Sequence, residues 1–306
     1  MDLAQEKTHG NKGKIAIILV VAVIAGLLIL NYTLNNLITD SFAEGLQEGF
    51  KKTLDDEEVE MIDGKFSSSL WQGKIIGDEL KYNHSRGEIH IEELDVDMTA
   101  GEMLGLLTAE ESEEHLLNLD DFELTFFDIN SFNENGIEIS RLNKLLINYS
   151  GEADIEDYHW NFTAGLELKD MNFDLLNWGE VDQADLEQIR QFLGLDLGQI
   201  RFSSLKVKLS SEDLFPGEND EQVDITLDEL RFTTDFLSFD SYLDLGYYQP
   251  RDELTIYESD IYLEFADSQL RDGLEFLTHI YEMPVEFEND GMRLSPHGPI
   301  DDLQWR

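Results

Sequence analysis

Histidines and carboxylates are the residues through which this chain could do chemistry. The seven histidines stand at 9, 84, 90, 115, 159, 279 and 297. None falls in a His-Glu-x-x-His arrangement or at another spacing that would bring two imidazoles onto one metal ion. Cysteine is absent, which removes thiolate metal sites, disulfides and thiol nucleophiles together. Neither the serine-nucleophile elbow nor a glycine-rich phosphate loop occurs. Acid pairs such as Glu92/Glu93 and Asp120/Asp121 are plentiful. With 66 acidic residues in 306, however, carboxylates meet by chance, and a glycosidase-type pair cannot be argued from proximity. Asn31, Asn83, Asn148 and Asn161 fit the Asn-x-Ser/Thr pattern at a frequency that chance explains. The expectation is a protein without catalytic residues, metal or cofactor.

The charge balance narrows the partners. Twenty-one basic residues against 66 acidic ones give a net charge of −45. Such a surface repels phosphates, so nucleic acid is not a partner. The acids run through the whole chain rather than forming a tail. They read as an adaptation to high salt, where self-repulsion is screened, rather than as a multi-site sink for divalent cations. An apolar content of 42% is enough for a folded core.

One pattern organises the remainder. Ile89, Ile91, Leu94, Val96 and Met98 alternate, skip two residues and alternate again. Leu117, Leu119, Phe122, Leu124 and Phe126 repeat it, as do Leu166, Leu168, Met171, Phe173 and Leu175. So do Ile200, Phe202, Leu205, Val207 and Leu209. Weaker copies run through Val223, Ile225, Leu227, Leu230 and Phe232, and from Leu254 to Phe265; a worn one begins Ile137, Ile139, Leu142. Alternation marks a strand with one apolar face. The two-residue skip would flip that face unless a β-bulge absorbs one residue. Repetition at roughly 20- to 50-residue spacing predicts a curved antiparallel sheet built by duplication. In copies one and two the acid pairs occupy the skip.

Other elements anchor or cover this sheet. Residues 1–14 are polar and lysine-bearing, and Ile15 to Leu30 is an unbroken apolar run. Extended through residue 34, it approaches the ~20 residues that span a bilayer. No small-x-small cleavage site follows. The lysines before it and the acidic chain after it place residues 1–14 in the cytoplasm and residues 55–306 across the membrane. Residues 35–54 continue as an amphipathic juxtamembrane helix with Phe42, Leu46 and Phe50 in line, closed by Lys51 and Lys52. Asp55 to Glu60 reads as a solvated turn. Further turns are expected at Ser67–Ser69, Ser85–Gly87 and Asn133–Gly136. Short helices are expected over 100–107, 182–193 and 267–281, and a closing strand pair over 285–300. No linker divides residues 55–306, so they form one domain. The fold class is mainly β: a curved antiparallel sheet, groove or half-open sandwich, with a few short amphipathic helices and one N-terminal transmembrane helix.

This order of features resembles the AsmA-like family, whose larger relatives include TamB-type proteins. The anchor Ile15–Leu30 and the helix behind it carry the likeness. So do the strands at Val59–Asp63, Gly77–Tyr82 and Gly87–Asp97, the helix Met103–Leu107 and the closing Met292–Leu303. The likeness is best over residues 15–130 and 285–306. Protein N of the type II secretion system is similar in size and plan. The resemblance implies an apolar β-groove anchored in the inner membrane of a diderm bacterium, handling membrane lipids or maintaining the envelope, with other envelope proteins as further partners. The groove would be lined by the repeat residues from Ile89 to Phe232.

About seven strands of ~10 residues would give an apolar face on the order of 1,100 Å². Three short helices cover roughly half of that. A sheet folded on itself, a partner or acyl chains would each complete the cover, and area alone does not choose among them.

Overall fold

The computed structural model describes residues 9–105, 119, 121–154, 159–178, 184, 186, 198–212, 222–248, 253–266, 268–280, 285–287, 291–299 and 304–305. Helix α1 (His9–Leu54) runs without a break for 46 residues. The boundary expected at residue 34 does not interrupt it, because no Gly or Pro occurs between Gly26 and Gly45. Its side chains are described from Leu30 onward, so the anchor expected over 15–34 lies largely outside them. Among the described residues no helix is long and apolar enough to cross a membrane. The helix ends with Lys51 and Lys52 in its last turn. Asp55 then takes a left-handed conformation (φ 50°), and the Asp56 N–H closes on the Lys51 carbonyl at 3.0 Å.

Strands β1 (Glu60–Ser69), β2 (Lys74–His84) and β3 (Gly87–Asp97) follow, then the short helix α2 (Ala100–Gly105). Next come β4 (Phe122–Asn133), β5 (Glu138–Asp154), β6 (His159–Asp174), the single turn α3 (Leu175–Trp178), β7 (Gln199–Glu212) and β8 (Gln222–Thr234). After them lie β9 (Leu237–Tyr248), β10 (Glu253–Phe265), helix α4 (Ser268–Ile280), and the short strands β11 (Glu286–Phe287), β12 (Gly291–Leu294), β13 (Pro296–Pro299) and β14 (Gln304–Trp305). Strands β1 to β10 pair antiparallel in chain order, followed by β12 and β11. β13 pairs with the first part of β10 and with β14. The chain is therefore mainly β, one curved and unclosed antiparallel sheet with few helices. The expected helix over 182–193 lies outside the described residues except for Ala184 and Leu186, of which Leu186 is buried.

The skip is absorbed as the pattern requires. Ile91 pairs with Leu80 and Ile129, and Leu94 pairs with Gly77 and Phe126, while both ladders pass over Glu92. The same level is passed over at Glu79, Asp128, Asn143, Asp170 and Ser203 in the neighbouring strands. Glu79, Asp128 and Asp170 take left-handed φ angles of 51°, 47° and 53°. Each strand from β2 to β7 thus gains one residue at a common level, so register is kept on both sides of a bulge seam.

Three expectations need correction. In the second copy the skip is not Asp120/Asp121, because β4 begins at Phe122. Its passed-over residue is Asp128, between Phe126 and Ile129. In the worn copy Ile137 is exposed ahead of β5 and Ile139 falls at a register shift, so its inward residues begin with Ser140 and Leu142. The first turn is not at Ser67–Ser69 but at Leu70–Gly73. Those serines stay in β1 because the Ser68 hydroxyl donates to the Asn35 carbonyl of α1 at 2.6 Å. The turn needs Gly73, whose φ is +63° and where a Cβ would meet the Met98 carbonyl oxygen at 2.1 Å.

Candidate apolar binding face

Cross-strand pairing sorts the sheet's side chains into rows. One row runs Ile75, Val96, Leu124, Ile147, Leu166, Val207, Leu230. The next runs Gly77, Leu94, Phe126, Leu145, Leu168, Leu205, Phe232, Phe239, Leu263, Met292. Across the bulge seam a third runs Leu80, Ile91, Ile129, Leu142, Met171, Phe202. Ile89 pairs with Tyr82, Phe173 with Ile200, Leu209 with Leu227, and Ile225 with Leu245. Directly paired residues in an antiparallel ladder project to the same side, so these residues share one face. Of the repeat residues named from the sequence, Leu119 precedes β4 and Leu117 lies outside the described residues.

The two ends of the face are covered. Ile38, Phe42, Leu46, Phe50 and Leu54 of α1 pack on the first four strands. There Ile75, Leu80, Leu94 and Val96 are fully buried and Ile91 is 1% exposed. Ile91, Leu94 and Val96 are therefore core beneath α1 and cannot line an open groove while the helix is docked. At the other end α4 lays Leu270 and Leu274 against Phe265, Leu263, Met292 and Leu294. Between them, on β5 to β9, the rows are half-buried: Leu142, Leu145, Ile147, Leu166, Leu168, Met171, Phe173, Ile200, Phe202, Leu205, Val207, Leu230, Phe232, Phe239, Leu243 and Leu245. Leu227 is buried at 9% exposure. Phe232 stacks on Phe239 with ring centroids 4.9 Å apart and meets Phe202 edge-on at 6.3 Å. A small cavity of about 280 Å³, lined by Ser41, Phe42, Gly45, Leu46 and Leu124, marks where the face emerges from beneath α1.

The opposite face is polar. Glu167, Lys206, Arg231 and Asp240 form one of its rows. Lys169 pairs with Glu167 at 2.9 Å, Lys206 with Glu229 at 2.8 Å, and the Arg231 guanidinium grips Asp240 with Nε at 2.9 Å. One sheet thus carries a charged, ion-paired side and an apolar side.

Part of this face does not stand out as a repeat copy in the sequence. Leu145 and Ile147 of β5 belong to it, and the spacing Leu142, Leu145, Ile147, Tyr149 is the skip pattern shifted later than the copy that begins at Ile137. Phe239, Leu243 and Leu245 of β9 belong to it as well. Ser241 sits between them at an inward position and weakens the apolar signal.

Among the described residues no three histidines or carboxylates converge as metal ligands. His90 pairs with Glu88 at 2.8 Å and packs its ring on Phe132. Asp56 is structural. Its carboxylate accepts from the Ser85 N–H at 2.7 Å, the Ser85 hydroxyl at 2.6 Å and the Glu58 N–H at 2.9 Å. Those bonds hold its pKa down at about 2. It ties the end of α1 to the β2–β3 turn. Compared with known proteins, the chain matches no family model and no curated sequence.

Proposed function

We propose that this chain is a membrane-anchored, non-catalytic envelope protein whose apolar sheet face holds or passes lipid acyl chains. The half-buried apolar rows on β5 to β9 carry the reading. Five strands at ~4.8 Å spacing make this stretch about 24 Å wide, room for an acyl chain laid along the rows. Each methylene removed from water there is worth about 0.8 kcal/mol. The uncharged run Ile15–Leu30 supports an anchor in the inner membrane, with residues 1–14 cytoplasmic and the sheet periplasmic. The resemblance to AsmA-like proteins favours the same role in lipid homeostasis.

The test is native mass spectrometry of the full chain released from detergent into lipid nanodiscs and then stripped. Lipid adducts are expected on the native chain. They should be lost when Leu168 and Leu205, cross-strand partners in mid-face, are both replaced by Glu, with the far-UV circular dichroism unchanged. A native chain that never carries lipid rejects the reading. A second reading, a scaffold in an envelope assembly such as a secretion apparatus, draws on the unclosed sheet, whose terminal strands β1 and β11 leave edges for strand pairing. Co-purification with secretion components in the absence of lipid would favour it.

A further inference from the structure

The end of the molecule nearest the apolar run differs from the rest in charge. With 66 acidic residues in 306, a 25-residue stretch would carry about five. Residues 15–39 carry no charged residue at all. The same holds for Phe66–Gly73, which forms the end of β1 and its turn, and for Met98–Gly101 at the start of α2. These three segments are distant in sequence, and the fold brings them to one place. The Asn35 side-chain oxygen accepts from the Leu70 N–H at 2.9 Å, the Asn35 carbonyl takes the Ser68 hydroxyl at 2.6 Å, and the Met98 N–H donates to the Gly73 carbonyl at 2.9 Å. β1 runs antiparallel to α1: Met61 lies beside Gln47 and Ser68 beside Thr39 and Asn35. The β1–β2 turn therefore points along α1 toward the apolar run.

What this end displays is apolar. Trp71 at the turn is 79% exposed, Tyr32 69%, Leu30 54% and Leu104 of α2 40%. Nothing in the fold requires a tryptophan so exposed. Leu30 and Asn35 are five residues apart, about 7.5 Å along the helix. That matches the roughly 5–7 Å of headgroup region on each side of the hydrocarbon core.

We propose that the β1–β2 turn with Trp71, the α1 flank at Leu30 and Tyr32, and Leu104 of α2 form a footing that inserts into the interfacial layer of a lipid bilayer. Tryptophan and tyrosine favour that layer because one part of the ring system is apolar and one polar atom stays wet. The carboxylates at the footing's border are already partnered: Glu102 accepts from the Thr99 N–H, and Asp97 pairs with Lys74 at 3.2 Å. The footing rests on the reading of Ile15–Leu30 as a bilayer span. It adds that the sheet is not tethered at a distance: the bonds from Asn35 and Thr39 fix its first strands against the membrane surface.

The chain lacks cysteine, so single introduced cysteines report without background. Gln72→Cys, Ala22→Cys and Asn135→Cys, each labelled with an environment-sensitive NBD dye, are placed in phosphatidylcholine vesicles containing doxyl-labelled lipids. Position 72 should show blue-shifted emission quenched by the shallow doxyl lipid, and position 22 quenching by the deep one. Position 135, in the β4–β5 turn, should stay aqueous. Adding Trp71→Ser should return the dye at 72 toward aqueous emission. Quenching at 22 with an aqueous dye at 72 overturns the footing and leaves the span standing. No quenching at either rejects the span and the footing with it. A blue shift at 72 without lipid quenching puts the turn in a protein contact, another copy of the chain included, and also overturns the footing. Ala25→Cys is the second reference if Ala22→Cys fails to insert.

Discussion

Asp56 is one acid among 66, in a run that reads as solvent-facing, yet three donors converge on its carboxylate. Its pKa in the fold, about 2, lies below the ordinary 3.8. A depressed carboxylate pKa contributes stability that is complete above the ordinary value and lost as pH falls through the folded one. Denaturation midpoints of the native chain should therefore fall between pH ~4 and pH ~2. Asp56→Asn should be less stable at neutral pH and should lose that segment of the acid dependence. Glu79 tests a different physics at the same scale. Its φ of 51° costs a side-chain-bearing residue about 1 kcal/mol. Glu79→Gly should leave stability unchanged or raise it by up to about 0.5 kcal/mol in urea melts, because the relieved strain offsets the roughly 0.5–1 kcal/mol that glycine inside a strand ordinarily costs. Glu93→Gly, on β3 outside the left-handed positions, should show the ordinary loss.

Among the elements, α1 would serve two environments under the proposed anchor. Its uncharged stretch fits a lipid surrounding, and its later turns supply the core of β1 to β4. Ile38 is fully buried at that junction. Ile38→Ala should cost about 2–5 kcal/mol in chemical denaturation, because it removes buried methylenes and leaves a cavity. Phe276→Ala, at a 57% exposed site on α4, should change stability by less than about 0.5 kcal/mol. The bulge seam was legible as a two-residue skip in most strands. It was misplaced in β4, where Asp120/Asp121 imitates the polar pair that occupies the skip in β3 and the true extra residue is Asp128. In β9 there is no skip to read: Phe239, Ser241, Leu243 and Leu245 alternate unbroken, and the inward serine weakens their apolar signal.

For the molecule as a whole, a net charge of −45 makes the folded state repel itself. Ions screen that repulsion over ~10 Å at 0.1 M and ~3 Å at 1 M. Tm should rise with sodium chloride across that range in thermal scans, and a chain whose Tm falls instead would contradict the salt-adapted reading. Which side of the sheet is greasy was already written in the order of residues, because alternation and its skip are local steric facts about an extended chain. Which greasy residues become core was not. Ile91 and Leu168 occupy equivalent positions in their copies of the pattern, yet one lies sealed under Ile38 and its neighbours while the other remains half-open. That difference depends on where a helix far away in sequence comes to rest, and so on packing between distant segments that no local spacing encodes. The same long-range closure, through Asn35, Ser68 and Gly73, is what gathers three separately ordinary acid-free stretches into one apolar end.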